Sequence, residues 1–360
     1  KASPADSLTQ LDKCKESFTY NSSPVHVEEE GTQKIFKARV KDIYLISSSQ
    51  LVLENSIRNV QDQKKGIQDN RFFQLADVSD PNAPLNLYLH HDVRELMDRF
   101  FPKTELFPFL GSTWFSFDFN TKKDPFTLDG VSFINDSIPD KLTFLKGLEP
   151  QPLLSPDYVP QSFDSYLALA VGDYKSLEAN FKKYSRYKNI ALSEINFDAL
   201  SGVNEIAWLK TKLNKALYFH ITNSEAIPPI LFSDQTPEDS YRGISISHVT
   251  FPEDLLYFLE AFGAAFNPNY VALVEDFLIY TQDKAYLKQL IGSYLDGNTL
   301  AQNFNFKSLQ EDLADRSTFL WVGNTVNLKN QWKENLPEKE AEWDSVKLKQ
   351  YPLVALQGSA

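Results

Sequence analysis

The sequence predicts an α+β fold made of two related units, each a mainly antiparallel sheet packed against helices. Three observations predict it. Short runs of β-branched and aromatic residues alternate along the chain with segments of helical spacing. Two of the strand-like runs, 114–119 and 126–133, flank the turn-rich stretch 120–125 and read as a β-hairpin. Three segments recur in one order about 234 residues further along, which is the signature of an internal repeat.

The elements follow in order. Ile35–Val40 and Ile43–Ile46 are β-branched and aromatic runs close together, and read as two strands. Leu51–Lys64 carries Leu53, Ile57 and Val60 at helical spacing, with Ser48 or Ser49 placed to cap it. The acidic run Glu28-Glu29-Glu30 reads as a solvated strand end or turn. Leu85–Leu89 alternates as a strand does. Asp92–Phe101 is a short amphipathic helix closed by Pro102. The hairpin follows, then helical spacing over 140–148.

Four prolines, Pro150, Pro152, Pro156 and Pro160, mark a linker, because proline removes a donor and disfavours helix before it. The expected division is a first α+β unit over 1–150, a proline-rich linker over 151–160, a second α+β unit over 161–345 and the start of a further segment over 346–360. Within the second unit, Ser165–Val171 is a strand of the buried type. Asp173–Tyr187 is a helix with Leu177, Phe181 and Tyr184 on one face. Strands are expected at 216–221, 243–249, 270–274, 277–280 and 319–322, helices at 252–266 and 283–295, and a loop at 225–237.

The repeat pairs Asp42–Ser47 with Asp276–Thr281, each an aspartate, four apolar residues and a hydroxyl residue. Leu53 and Ile57 match Leu287 and Ile291. Asn70–Phe73 matches Asn303–Phe306, read as an aromatic turn, and Leu87–Leu89 matches Leu320–Val322. The unit is then strand, helix, aromatic turn, strand, used twice. The first copy would lack its opening strand and helix.

Composition bounds the function. The 360 residues suit about two domains. With 36 Lys and Arg against 48 Asp and Glu, the net charge is −12, which opposes binding to phosphate backbones and argues against nucleic acid. Aromatics make up 13% of the chain, far more than disordered chains carry, so most of it should fold. The 13 glycines leave no G-x-G-x-x-G or P-loop motif. Cys14 is the sole cysteine, so an intramolecular disulfide and the cysteine-rich zinc sites are excluded by count. No apolar run is long enough to cross a membrane as a helix. The chain starts at Lys1 and ends after a strand-like run, so it is expected to be processed or part of something longer.

Each chemical candidate has a plainer structural reading. His90-His91-Asp92 clusters two histidines, but neighbours on a strand point to opposite faces, and Asp92 suits a helix N-cap. His26, His220 and His248 stand alone on or beside strands. Ser47-Ser48-Ser49 lacks the glycines of a nucleophile elbow. Glu311-Asp312 and Glu253-Asp254 read as solvated helix ends. Phe115, Phe117 and Phe119 suit a half-buried sheet, with a greasy or sugar-stacking groove as the alternative. No catalytic, cofactor-binding or metal residue is assigned, and no cofactor is expected.

Taken together, Asp42–Ile57, the Phe72-Phe73 turn, the Trp114–Phe133 hairpin and the proline-flanked Pro160–Val171 strand resemble a family of uncharacterised envelope proteins of Gram-negative bacteria, especially Bacteroidota. These carry duplicated α+β units, sometimes followed by a β-propeller. The resemblance implies a secreted lipoprotein or periplasmic setting, an outer-membrane association, protein partners and no catalytic residues. A lipid anchor would lie outside this chain. The resulting expectation is a non-catalytic envelope protein acting as a protein–protein interaction or assembly module. The alternatives are a carrier for a lipid, glycan or peptide, and a hydrolase in which His90 or His91 meets carboxylates from elsewhere.

Overall fold

The computed structural model describes residues 16–30, 33–62, 70–90, 114–120, 127–134, 139, 141–190, 197–222, 227, 231–232, 237–251, 253–261, 266–327, 329–330 and 351–359. The chain is a mixed α+β protein with antiparallel sheets. It divides into two compact units, Lys1–Asp77 and Val78–Ala360. Cys14, His91 and the expected helix Asp92–Phe101 lie outside the described residues.

The first unit is built on four strands in meander order: β1 (Glu16–Tyr20), β2 (Ser23–Glu30), β3 (Gln33–Val40) and β4 (Ile43–Ser47). Its turns demand left-handed backbone. Asn21 and Ser22 join β1 to β2 with φ of 46° and 61°, the pattern of a two-residue hairpin whose twist matches its strands. Lys41, at φ 55°, turns β3 into β4. Helix α1 (Gln50–Gln61) lays Leu53 and Ile57 on one face of this sheet, against Val25, Val27, Phe36, Ala38 and Val40. The acidic run therefore stands in a strand, where Lys37 pairs with Glu28. Ser49 occupies the N-cap position of α1 but makes no side-chain capping bond.

Asn70–Val78 forms helix α2, where an aromatic turn is expected. β5 (Asn86–His90), β6 (Trp114–Asn120) and β7 (Thr127–Ser132) make a three-stranded antiparallel sheet containing the expected hairpin. The helical spacing over 140–148 resolves as a 3-10 turn, Lys141–Leu145.

A nine-stranded sheet holds the largest core. Its strands are β8 (Ser165–Ala170), β9 (Val203–Lys210), β10 (Lys215–Ile221), β11 (Asp239–Tyr241), β12 (Ile244–His248), β13 (Tyr270–Val274), β14 (Phe277–Thr281), β15 (Phe319–Asn324) and β16 (Leu353–Gly358). They lie in the order β11-β12-β13-β14-β10-β9-β8-β15-β16, with every recorded pairing antiparallel. Every residue of β8 and β14 is buried, which requires cover on both faces and explains why neither run alternates. On one face Leu169, Ile206, Phe219 and Tyr280 meet α3 (Tyr174–Tyr187) and α4 (Glu253–Ala261) through Leu177, Phe181, Leu255 and Phe258. On the other, Ala168, Leu209, Tyr218 and Ile279 meet α5 (Lys284–Leu295) and α6 (Phe304–Gln310) through Leu287, Ile291 and Phe306.

The proline-rich segment 151–160 belongs to this second unit. Single β-bridges join Gln151 to Ser317 and Pro160 to Thr299. Ser155 and Pro156 are buried in a 3-10 turn, Ser155–Asp157.

Elements of the two units coincide in position along the chain. β14 and α5 begin and end 234 residues after β4 and α1 do. Glu275, at φ 54°, turns β13 into β14 as Lys41 turns β3 into β4. Arg242 and Gly243, at φ 50° and 87°, also join β11 to β12 as Asn21 and Ser22 join β1 to β2, but 221 rather than 234 residues later. Leu287 and Ile291 are buried on α5 as Leu53 and Ile57 are on α1.

Candidate functional site

Two places bring chemistry-bearing side chains together. The first grows from strand register. β9 and β10 pair so that Glu205 faces His220, and β10 pairs with β14 so that His220 faces Phe277. Asp276, in the β13–β14 turn, then lies 3.2 Å from His220 Nε2 through its Oδ2. The Tyr158 hydroxyl donates to Asp276 Oδ1 at 2.7 Å. Tyr158 also stacks on Tyr294, centroids 4.8 Å apart and nearly parallel, and lies 4.1 Å from Phe277. Burial first, then the bond to Asp276, pushes the Tyr158 phenol far above its ordinary range.

Behind this rim Glu205 is buried among donors. It accepts from Leu154 N at 2.7 Å, from Ser155 N at 3.1 Å and from the Ser155 hydroxyl. The Ser155 hydroxyl also contacts that of Tyr166. Burial raises the Glu205 carboxyl to about 7, although the bonds from Ser155 and Leu154 pull the other way.

This geometry is a clasp. The carboxyl group closes the open N–H groups of the 3-10 turn, so the proline segment is fixed to the sheet by these hydrogen bonds. It is a poor hydrolytic arrangement. A serine nucleophile has to meet its substrate as well as a base; the Ser155 hydroxyl donates to Glu205, while His220 is hydrogen-bonded to Asp276. Ser155 is also fully buried.

The second place is the outer edge of β4. It ends its sheet, so its outer row of N–H and C=O groups pairs with no described strand. Ile46 is 68% exposed, Ile43 48% and Tyr44 44%, with Leu51 and Val52 exposed beside them at the start of α1. Register puts Tyr44 and Ile46 on the face away from α1, across from Arg39 and Lys37. The matching strand β14 has a neighbour on both sides, and Phe277, Leu278 and Tyr280 are fully buried. Asp276 holds His220 and Tyr158, whereas the side chain of Asp42 is fully exposed and lies 4.0 Å from Arg39.

Comparisons with protein-family models, with curated proteins and with solved structures find no match to the chain. Its own geometry therefore carries the reading.

The residues singled out from sequence fall in separate places. His90 faces Trp114 across β5 and β6, with ring centroids 4.7 Å apart. His26 faces Lys37 across β2 and β3, and His248 lies against Tyr270. Ser47 ends β4 and accepts from Ser49 N. Glu311 caps the end of α6 and is exposed. Phe115 is buried in its sheet. Among the described residues no group of three or more His, Cys, Asp or Glu could hold a metal ion, and no helix is long and apolar enough to cross a membrane. Sequence reasoning missed Glu205, Ser155, Tyr158 and Asp276 as a cluster. The signal that could have found them is register, since His220 and Asp276 meet only once β10 and β14 are paired.

Proposed function

We propose that the chain is a non-catalytic protein of a bacterial cell envelope that works by binding another protein. The observation that carries this is the outer edge of β4, which pairs with no described strand. An exposed edge strand with large apolar side chains is a template for association, and proteins that do not use such an edge blunt it with charge, proline or a bulge. Ile43, Tyr44 and Ile46 leave this one sharp.

The reading includes two related units. The common offset of β4 to β14 and of α1 to α5 supports it, as does the left-handed turn that Lys41 and Glu275 share. Identity between the two stretches is low, so the likeness lies in the packing pattern. The envelope setting, periplasmic or associated with the outer membrane, rests on the resemblance of Asp42–Ile57, the Trp114–Phe133 hairpin and Pro160–Val171 to envelope proteins with duplicated units. The full burial of Ser155, which keeps its hydroxyl from a substrate, favours binding over hydrolysis.

The test is site-specific photo-crosslinking in intact envelopes. A crosslinking residue at Ile46 should yield one discrete protein adduct, and one at Leu213, exposed in the β9–β10 turn, should yield none. No adduct from Ile46, or the same adducts from both positions, overturns the reading.

A further inference from the structure

Helix α3 carries four cations and one carboxylate in a protein whose net charge is −12. Leu177 and Phe181 bury one side of it in the core. Lys175, Lys182, Lys183 and Arg186 recur at helical spacing on the opposite side, with the small, exposed Ala179 among them. Lys188 extends the row past the helix end and lies over the rings of Tyr184 and Tyr187, at 5.9 and 5.5 Å. From Lys182 to Lys188 the chain holds four cations and no carboxylate. The helix dipole favours cations in the last turn but opposes Lys175 in the first, so the row is more than a cap.

Lys182 pairs with Glu178, whereas Arg186 and Lys188 meet no carboxylate among the described residues. On the other face of the sheet, α5 has its lysines answered: Lys284 pairs with Glu238, and Lys288 with Asp239 at 2.7 Å. Helix α4 packs beside α3 through Phe258 and Phe181, 5.5 Å apart, and exposes Glu260 as the single carboxylate among its described side chains. Charges farther off are screened beyond about 8 Å at physiological ionic strength, so the local sign governs contact.

The residue types select the occupant. Lysine is a hydrated point charge, depleted from protein interfaces, where arginine and aromatic side chains are enriched. A lysine-rich row suits a plane of anionic lipid headgroups, which attracts basic segments without a fixed set of partners. Tyr187 and Ile190 follow at the helix end and Tyr257 stands on α4, exposed by 46%, 38% and 41%. Tyrosine rings settle at headgroup depth.

We infer that the outer face of α3 attaches the protein to an anionic phospholipid surface. Lys175, Lys182, Arg186 and Lys188 meet the headgroups, and Tyr187 enters the interface. The attachment is peripheral and reversible, and it is separate from the protein contact proposed for β4.

The experiment is co-sedimentation of the full chain with vesicles of phosphatidylglycerol and phosphatidylcholine, against vesicles of phosphatidylcholine alone. Binding is expected to the first and not to the second, and should fall by about tenfold or more between about 0.05 M and about 0.5 M salt. Each cation at such a surface strengthens attachment about fivefold, so Lys175→Gln, Arg186→Gln and Lys188→Gln together should weaken it about a hundredfold. Glutamine is a good helix former, unaltered far-UV circular dichroism checks the fold, and the lipid comparison needs no variant. Lys284→Gln with Lys288→Gln, on the opposite face, should change binding less than about twofold. Binding to neither vesicle, or equally to both, overturns the inference. So does undiminished binding by the triple variant, or an equal loss in the α5 variant. Poly-glutamate that binds the chain more tightly than the anionic vesicles, and loses its hold with the same triple variant, would assign the face to an acidic polypeptide and also overturns it.

Discussion

Glu205, on the interior strand β9, accepts hydrogen bonds from both the backbone N–H and the hydroxyl of Ser155, 50 residues earlier in the chain. One buried carboxyl group thereby closes the turn that the prolines would otherwise leave open. Removing it with Glu205→Ala takes the acceptor from the Leu154 and Ser155 N–H groups and from the Ser155 hydroxyl, which should cost about 2–4 kcal/mol in chemical denaturation.

The same carboxyl makes stability depend on pH. Its folded value, about 7, lies above its ordinary 4.5, so the folded chain holds the proton more tightly than the unfolded one. Its contribution is therefore fully present below about pH 4.5 and is lost as pH rises through about 7, a span worth about 3 kcal/mol. Glu205→Gln should flatten this slope in denaturation midpoints measured from pH 4.5 to 8. A slope unchanged by the substitution would remove Glu205 as its source.

Ser49 and Asp283 hold matching N-cap positions with nearly identical backbones, φ −116° and ψ 121° against φ −114° and ψ 124°. Asp283 accepts from Tyr286 N at 2.7 Å, while the Ser49 side chain caps nothing. The site in the first unit is thus already shaped for a longer acceptor. Ser49→Asp should stabilise α1 by about 0.5–1 kcal/mol, through the capping bond and the favourable charge at a helix start. Amide exchange of the first turns of α1 would report it, and no added protection there would count against the match.

Tyr218 is fully buried in the centre of β10, and its hydroxyl has no hydrogen-bond partner. An unpaired buried hydroxyl carries its desolvation cost without return. Tyr218→Phe keeps the ring and removes that cost, so it should raise stability by about 1 kcal/mol. A loss of stability would mean that the hydroxyl is bonded in solution.

The parts of this fold legible in the sequence are those whose apolar pattern stands alone. Ser165–Val171 reads as a strand because an unbroken apolar run of that length needs cover on both faces. Asp173–Tyr187 reads as a helix from Leu177 and Phe181. β9 is hidden because Asn204 and Glu205 break its run, although Glu205 points inward and is satisfied by a distant turn. β2 alternates Val25 and Val27 with His26 and Glu28, but its acidic end masks the period. Helices α2 and α6 carry too few turns to separate from aromatic loops. The Glu205–His220–Asp276 corner is set by long-range register, which no local window contains.

Gly130 of β7 is where the three-stranded sheet has least room. It faces Phe117 of β6, and a Cβ there would come within 2.2 Å of the Ser116 carbonyl oxygen and 2.8 Å of the Phe117 ring. The first obstacle is backbone, so no rotamer change can clear it. β7 would have to move away from β6, breaking the ladder that pairs Ser116 with Val131 and Phe119 with Leu128. Asp118 faces Asp129 in the same ladder and is held by Asp80 N and Asn86 Nδ2, so the pair already tolerates two like charges opposite one another. Gly130→Ala should therefore cost about 2–3 kcal/mol. Amide exchange should show the loss concentrated in β6 and β7, with α1 and its sheet unchanged. Full protection of β7 in the variant would mean that the strands are not held this closely.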